Sequence, residues 1–187
     1  MKHHIKEKII SKTKYVEHII RTAAGYSREV IKLPLGGQVL PYFKDNRNAW
    51  RVVLVNQYRP AVLKKTIEAA GGQLDYEPAE TALSRELLEE TGIKVNPESI
   101  KIVINEYTHP SILNTCSTGG IVKINQRMVK NKRKAGNNHE NEQTQVEIFD
   151  LIKLIKKREA NLITLDLITS RLIDEVAKTV GLLVKKY

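Results

Sequence analysis

The chain has 187 residues, of which 41% are hydrophobic and 28% are charged, as expected for one globular domain with a full core. No apolar run reaches the ~18 residues needed to cross a bilayer, and the N-terminal residues lack the apolar core of a signal peptide, so we expect neither a membrane protein nor a secreted one. The single cysteine, Cys116, excludes an internal disulfide framework and predicts a reducing, cytoplasmic location.

The formal net charge of +10 raises the question of a nucleic-acid partner. Six basic residues and no acidic residue lie between Lys123 and Lys134, but the interleaved aromatic residues typical of a single-strand binder are missing there. We interpret this segment as a solvated loop and expect neither a nucleic-acid nor a membrane partner. A positive field would still help to recruit an anionic small molecule.

The N-terminal part of the chain has the pattern of strands. Residues 5–21 mix charged and β-branched residues in short alternations and predict one or two strands, which continue through residues 27–33. Residues 35–43 and 49–59 are separated by the polar turn KDNRN and predict a β-hairpin of buried strands. A helix should follow from Pro78 to about Thr91, because proline is tolerated in a first helical turn, and Gly92 should end it.

The C-terminal part mixes strands, loops and helices. We predict strands at 100–107, 121–129 and 145–150, loops at 109–120 and 131–141, and helices at 151–158 and 166–180, the last one capped by Asp166. Strands on both sides of the first helix, with helices closing the order, predict an α/β fold with a mixed sheet. We expect a small N-terminal β-element at residues 1–38 and a main domain at residues 39–187.

The most informative segment is residues 71–93, which read GGQLDYEPAETALSRELLEETGI. At 3.6 residues per turn, Glu86, Glu89 and Glu90 project from one side of the predicted helix, and Leu83 and Leu87 can anchor another side to a core. Carboxylates crowded in this way favour a bound Mg²⁺, Mn²⁺ or Ca²⁺ ion. A solvated, glutamate-rich helix face is the alternative interpretation of the helix taken alone.

The complete pattern of this segment resembles the signature box of the Nudix hydrolases. All of the positions that define that box are filled, namely Gly71, Glu77, Arg85, Glu86, Leu87, Glu89, Glu90, Gly92 and Ile93. The resemblance implies a Nudix-type α/β/α sandwich with a mixed sheet. We refer to residues 71–93 as the box.

Three features outside the box resemble the ADP-ribose and sugar-nucleotide pyrophosphatase branch of that family. The strand VVLVNQYRP presents Arg59, a planar donor suited to a phosphate. Pro110 lies 17 positions after Ile93, near where ADP-ribose hydrolases carry a proline. The segment GNNHENEQTQVEI, with Glu140 and Glu142, resembles the catalytic loop of the branch.

The resemblance assigns roles to particular residues. It implies a catalytic set of Glu140, Glu86, Glu90 and Arg85, in which Glu140 is the general base and Arg85 pairs with Glu77 to orient the carboxylates. It implies substrate contacts from Arg59, Gly71 and Pro110. It implies a metal shell of the Ala70 carbonyl oxygen, Glu86, Glu89, Glu90 and Glu142, holding Mg²⁺ with Mn²⁺ as an alternative. The sequence leaves open which of Glu140 and Glu142 is the general base and which completes the metal shell.

The expected activity is Mg²⁺-dependent hydrolysis of the diphosphate linkage in ADP-ribose or a related nucleoside diphosphate sugar, by a homodimer that exchanges its N-terminal β-element. Two departures keep the substrate open. Glu68-Ala69-Ala70-Gly71 stands where the family has Leu-Pro-Ala-Gly, and residues 109–115 lack the glycine and glutamate of the family's Ser-Pro-Gly loop. UDP-glucose, GDP-mannose and NADH remain alternative substrates. A nucleotide-binding sensor without catalysis and an mRNA-decapping enzyme are the alternative functions.

Overall fold

The computed structural model describes residues 5–129 and 144–182 of the chain. Within these residues the strands are β1 (Lys6–Lys12), β2 (Glu17–Ala23), β3 (Tyr26–Lys32), β4 (Gly36–Lys44), β5 (Trp50–Arg59), β6 (Lys64–Glu68), β7 (Ala70–Gln73), β8 (Lys101–Tyr107), β9 (Cys116–Lys123) and β10 (Gln145–Asp150). The α-helices are α1 (Ala79–Thr91), α2 (Leu151–Glu159) and α3 (Leu167–Thr179). Short 3₁₀ turns lie at Pro60–Val62, Pro97–Ser99 and Gln126–Met128.

The first three strands form a separate antiparallel sheet in the order β1-β2-β3. This N-terminal sheet is mostly solvent-exposed, and only Ile19 of its strands is fully buried. It meets the rest of the molecule through backbone bonds between Ile31 and the loop after β8, at Ile112 and Asn114. The main sheet begins at Gly36, so the boundary expected at residue 38 falls inside β4.

The main sheet is mixed, as the sequence predicts. Its strands follow the order β10-β5-β4-β9-β8, with β4 and β9 parallel and the other pairs of this order antiparallel. Two short strands complete it: β6 pairs with β5, and β7 pairs with β4. The predicted hairpin is present, since β4 and β5 pair around the turn at Asp45.

Helices cover both faces of this sheet because residues alternate between the faces along each buried strand. Val39 and Val53 face the cluster that contains Leu83 and Leu87 of α1. Leu40 and Leu54 face the opposite cluster, which α2 and α3 complete. The core therefore consists of two apolar layers, one on each side of the sheet.

The ends of the helices agree with the sequence. Gly92 adopts a left-handed conformation (φ 70°) and its N–H donates to the carbonyl oxygen of Leu88, which ends α1 as predicted. Asp166 caps α3 by accepting a hydrogen bond from the N–H of Thr169. None of the helices in the described residues is long and apolar enough to cross a membrane.

The prediction for residues 109–129 is wrong in its boundaries. A loop is predicted up to residue 120, but β9 begins at Cys116 and ends at Lys123. Gly119 and Gly120 resemble a turn in the sequence. In the fold they lie inside β9. A Cβ added to Gly119 would lie 3.0 Å from Ile104, and a Cβ added to Gly120 would lie 2.7 Å from Ile100. Glycine is needed at both positions because the neighbouring residues approach β9 so closely. Tertiary packing therefore overrides the turn signal of these glycines.

Candidate functional site

A cavity of about 220 Å³ opens where β4 and β7 run beside each other. Arg59 lines it at the end of β5, and Ile168 lines it from the first turn of α3. The remaining lining residues are glycines and small or polar residues of β4, β7 and β9: Gly36, Gly37, Gln38, Gly71, Gly72, Ser117 and Thr118.

The glycines of β7 are required by close packing. A Cβ on Gly71 would lie 2.2 Å from the carbonyl oxygen of Gly37. A Cβ on Gly72 would lie 2.5 Å from the carboxyl carbon of Glu86. The Glu86 carboxylate therefore lies directly against the β7 backbone, in space that any other residue at position 72 would fill.

Glu90 joins Glu86 at this backbone. Its side chain is buried, with 4% of the residue exposed, and it accepts a hydrogen bond from the Gly71 N–H at 3.0 Å. Burial raises the pKa of Glu90 to about 8, and the nearby Glu86 carboxylate adds to the rise. Burial also raises the pKa of Glu86, against the effect of the adjacent Arg85. Two carboxylates thus converge on two successive glycines of β7.

Arg85 holds the acidic groups around the start of the box. Its Nε and Nη2 donate to Oε1 of Glu77 at 3.0 and 2.9 Å, so the pair expected from the sequence is present. Its Nη1 donates to Oε1 of Glu86 at 2.7 Å, and its Nη2 donates to the carbonyl oxygen of Gln73 at 3.2 Å. One guanidinium group therefore ties α1 to the loop before it and orients Glu86.

Glu89 does not join the other two carboxylates. Its side chain is 49% exposed and its Oε1 lies 3.7 Å from Nη1 of Arg85. Residues 86 and 90 are about 40° apart around a helix, whereas residues 89 and 90 are about 100° apart, so Glu86 and Glu90 meet more easily. Within residues 5–129 and 144–182, no three His, Cys, Asp or Glu side chains are arranged to hold a metal ion.

Arg59 is held by a carboxylate that the sequence analysis did not assign to the site. Its Nε and Nη2 donate to Oε1 and Oε2 of Glu68 at 2.9 and 2.7 Å. Burial opposes ionisation of Glu68, but the bonds from Arg59 and Thr66 outweigh it and lower the pKa of this carboxyl. The two-pronged contact fixes the plane of the guanidinium at the cavity.

A second polar group, also missed from the sequence, lies behind the β7 backbone. Thr169 of α3 is fully buried, and its Oγ1 accepts a hydrogen bond from the Ala69 N–H at 2.7 Å. Asp166 and Gln38 surround the same hydroxyl group. Burial raises the pKa of Asp166, and its bonds to Thr169 oppose that rise. The capping pattern identifies Asp166 in the sequence. The contact between Thr169 and Ala69 cannot be seen there, because α3 lies far from the box along the chain.

The other predicted site residues are distributed as follows. Ala70 is fully buried at the start of β7, and Gly71 pairs with Gln38. Pro110 is exposed in the loop between β8 and β9 and is not among the described residues that line the cavity. Glu140 and Glu142, with the loop predicted at 131–141, lie outside the described residues.

No model of a protein family matches the chain. A comparison with curated proteins finds no match either.

Proposed function

We propose that this chain is a Nudix-type hydrolase that cleaves the diphosphate linkage of a nucleoside diphosphate sugar, with ADP-ribose as the leading substrate. The observation that carries the proposal is the convergence of Glu86 and Glu90 on the backbone of Gly71 and Gly72, beside a cavity that Arg59 lines. A guanidinium in the lining of a cavity, with two carboxylates packed against the glycines of the same lining, suits a substrate that is both anionic and bound with a cation.

The donor set fits a divalent metal ion. Glu86 and Glu90 are carboxylates, the preferred ligands of Mg²⁺ and Mn²⁺, and the missing Cβ of Gly72 leaves room for one of them at the backbone. Glu86, Glu90 and the Ala70 carbonyl oxygen would hold the ion, with Glu89 and Glu142 completing its shell. When bound, the ion would neutralise the diphosphate and favour attack on phosphorus.

The chain's own residues bind, orient and accept a proton. Arg59 presents its fixed guanidinium to an oxygen of one phosphate. Arg85 keeps the Glu86 carboxylate against β7 and is a positioning residue. A water molecule forms the new bond to phosphorus, the bond to the bridging oxygen breaks, and the second phosphate leaves with that oxygen. The proton of the water passes to Glu140 or Glu142, the predicted base.

The cavity size bears on the substrate. Its volume of about 220 Å³ is below the ~300–1,000 Å³ of typical ligand pockets. A diphosphate fits this space, and most of the nucleotide would lie outside it. For ADP-ribose the products would be AMP and ribose 5-phosphate. UDP-glucose, GDP-mannose and NADH present the same diphosphate and differ only in the groups outside the cavity.

The proposal includes the wider architecture. We propose a Nudix-type α/β/α sandwich, acting in the cytoplasm as a homodimer in which the N-terminal sheet packs against a second copy. Exposed apolar residues in and next to that sheet support this arrangement, since Ile9 of β1, Tyr26 of β3 and Ile5 just before β1 are all more than half exposed.

One observation favours a different function. Nη1 of Arg85 lies 2.7 Å from Glu86 and 3.7 Å from Glu89, so the guanidinium takes the place between these carboxylates where a cation would sit. A nucleotide-binding sensor that never binds a metal would have this arrangement. The sensor predicts nucleotide binding that is unchanged by EDTA, without turnover.

The test is a product assay with purified protein on ADP-ribose, UDP-glucose, GDP-mannose, NADH and nucleoside triphosphates, each with Mg²⁺ and with EDTA. Phosphate is measured after a coupled phosphatase. Mg²⁺-dependent hydrolysis of one or more nucleotide sugars supports the proposal, and the preferred one names the substrate. Nucleotide binding without hydrolysis would contradict the hydrolase proposal and favour the sensor.

A further inference from the structure

The backbone that enters the box changes its strand partner at Ala69. The last pair of β6 joins Glu68 to Val55, and the first pair of β7 joins Ala70 to Val39. Ala69 lies between these registers and is only 2% exposed. A buried backbone N–H outside a ladder needs another acceptor, because leaving it unpaired is costly.

Thr169 supplies that acceptor from a position 100 residues further along the chain. Its Oγ1 lies 2.7 Å from the Ala69 nitrogen, and its own hydroxyl proton can go to Oδ2 of Asp166 or to Oε1 of Gln38. Oδ1 of Asp166 accepts the N–H of Thr169 at 2.9 Å. Both oxygens of Asp166 therefore engage Thr169, which fixes the orientation of its hydroxyl group.

The two amides that flank Ala70 are held by side chains from opposite faces of the sheet. Thr169 of α3 accepts the N–H of Ala69, and Glu90 of α1 accepts the N–H of Gly71. Both acceptors are buried. The backbone between them cannot shift without breaking one of these bonds.

We propose that Thr169, fixed by Asp166, is a positioning residue for the divalent-cation site: it holds the β6–β7 backbone on which the Ala70 carbonyl oxygen is a ligand. The inference rests on the proposed function and adds α3 to the machinery of the site. Partners of this kind behind a metal ligand are worth ~10–100-fold in metal affinity. Thr169 is neither one of the described residues that line the cavity nor one of the proposed metal ligands, so its effect should appear first in the metal requirement.

The experiment compares Thr169→Val, which removes the hydroxyl group at constant shape, with Thr169→Ser, which keeps it. Mn²⁺ and Mg²⁺ binding to the EDTA-treated protein is measured by calorimetry, without substrate. Thr169→Val should raise the Kd by about tenfold or more, and Thr169→Ser should stay within about twofold of the wild type. Ile173→Val is the matched control, since Ile173 is a buried residue of α3 whose truncation loosens the same core without removing the hydrogen bond to the Ala69 N–H.

A Thr169→Val protein that binds Mn²⁺ as tightly as the wild type overturns the inference. If that variant does not fold, Asp166→Asn decides, because asparagine still caps α3 but replaces an acceptor of the Thr169 hydroxyl group with a donor. It should weaken Mn²⁺ binding in the same direction, and unchanged binding overturns the inference. A wild type that binds cations but hydrolyses nothing overturns the proposed function alone. A wild type that binds no divalent cation overturns both.

Discussion

The carboxylates of the N-terminal sheet and those of the candidate site have opposite surroundings. In the N-terminal sheet, Glu7 accepts bonds from Lys32 and Arg21, and these bonds lower its pKa. Glu17 is bonded to Lys12 and its pKa is lowered in the same way. In the site, Glu90 is buried against a backbone amide, and burial raises its pKa to about 8.

The difference separates carboxylates that are paired with cations from carboxylates whose ionisation is opposed by burial. Glu7 and Glu17 of the N-terminal sheet each have a lysine or arginine beside them and remain partly exposed to water, so their charges are already satisfied. Glu86 and Glu90 are removed from water, and burial raises the pKa of each because the nearby cations do not fully compensate for desolvation. Titratable groups held in this state beside a cavity indicate a place where a charged ligand binds.

The largest effect is expected at Glu140, the predicted general base. Glu140→Gln should lower kcat by ~10²–10⁴-fold, since general-base assistance is of that size. Glu142→Gln is the companion variant, and the larger loss of kcat at saturating Mg²⁺ identifies the base. Near wild-type turnover in Glu140→Gln would remove Glu140 from that role.

Glu90→Gln should lower Mg²⁺-dependent turnover by at least ~100-fold, because losing a partner behind a ligand already costs ~10–100-fold. The new amide oxygen can still accept the Gly71 N–H, so the fold should persist. Glu7→Gln is the control from the N-terminal sheet and should leave kcat unchanged. Turnover and thermal unfolding are measured for both variants, with Mg²⁺ and with EDTA. Equal losses of turnover in Glu90→Gln and Glu7→Gln would contradict the distinction between the carboxylates of the site and those of the N-terminal sheet.

Arg59→Ala should lower the free energy of unfolding by about 2 kcal/mol. This is less than the ~3–5 kcal/mol of a fully buried pair, because the Arg59 side chain is 40% exposed while that of Glu68 is only 6% exposed. Adding Glu68→Gln should recover part of that stability, since no buried charge is then left unpaired. Urea unfolding measures the stability of both proteins.

Activity then separates the two roles of Arg59. The double variant Arg59→Ala/Glu68→Gln should recover stability without recovering activity, because the phosphate contact is still missing. Recovery of kcat/KM along with stability would mean that Arg59 acts only on the fold.

The smallest effects are the opposite pH dependences of Glu7 and Asp166. The pKa of Glu7 is lowered from 4.5 by Lys32 and Arg21, so its contribution to stability is present above that value and is lost as pH falls through the folded pKa. The pKa of Asp166 is raised from 3.8 by burial, with Glu68 adding to the rise, so its contribution is present below 3.8 and is lost as pH rises through the folded pKa.

Urea unfolding from about pH 3 to about pH 7 measures these contributions as differences from the wild type. The stability lost in Glu7→Gln should shrink towards acid pH. The stability of wild type relative to Asp166→Asn should instead shrink towards neutral pH. If the stability difference between wild type and variant changed with pH in the same direction for Glu7→Gln and Asp166→Asn, the contrast between the two regions would be contradicted.

Much of the fold follows from short-range signals. The hairpin of β4 and β5, the end of α1 at Gly92 and the cap of α3 at Asp166 are all set by residues within a few positions of each other. The strands β6 and β7 were not predicted. Both are short, and the two glycines of β7 resemble a turn until the Glu86 carboxylate is seen to lie against Gly72.

The site divides in the same way. Helical spacing in the sequence placed Glu86 and Glu90 together, because residues four apart are neighbours on a helix, and the resemblance of the box implied the pairing of Arg85 with Glu77. Only the tertiary structure decided that Glu68 holds Arg59 and that Thr169 holds Ala69. These contacts join separate elements, and no local periodicity encodes which elements the packing of the core will bring together.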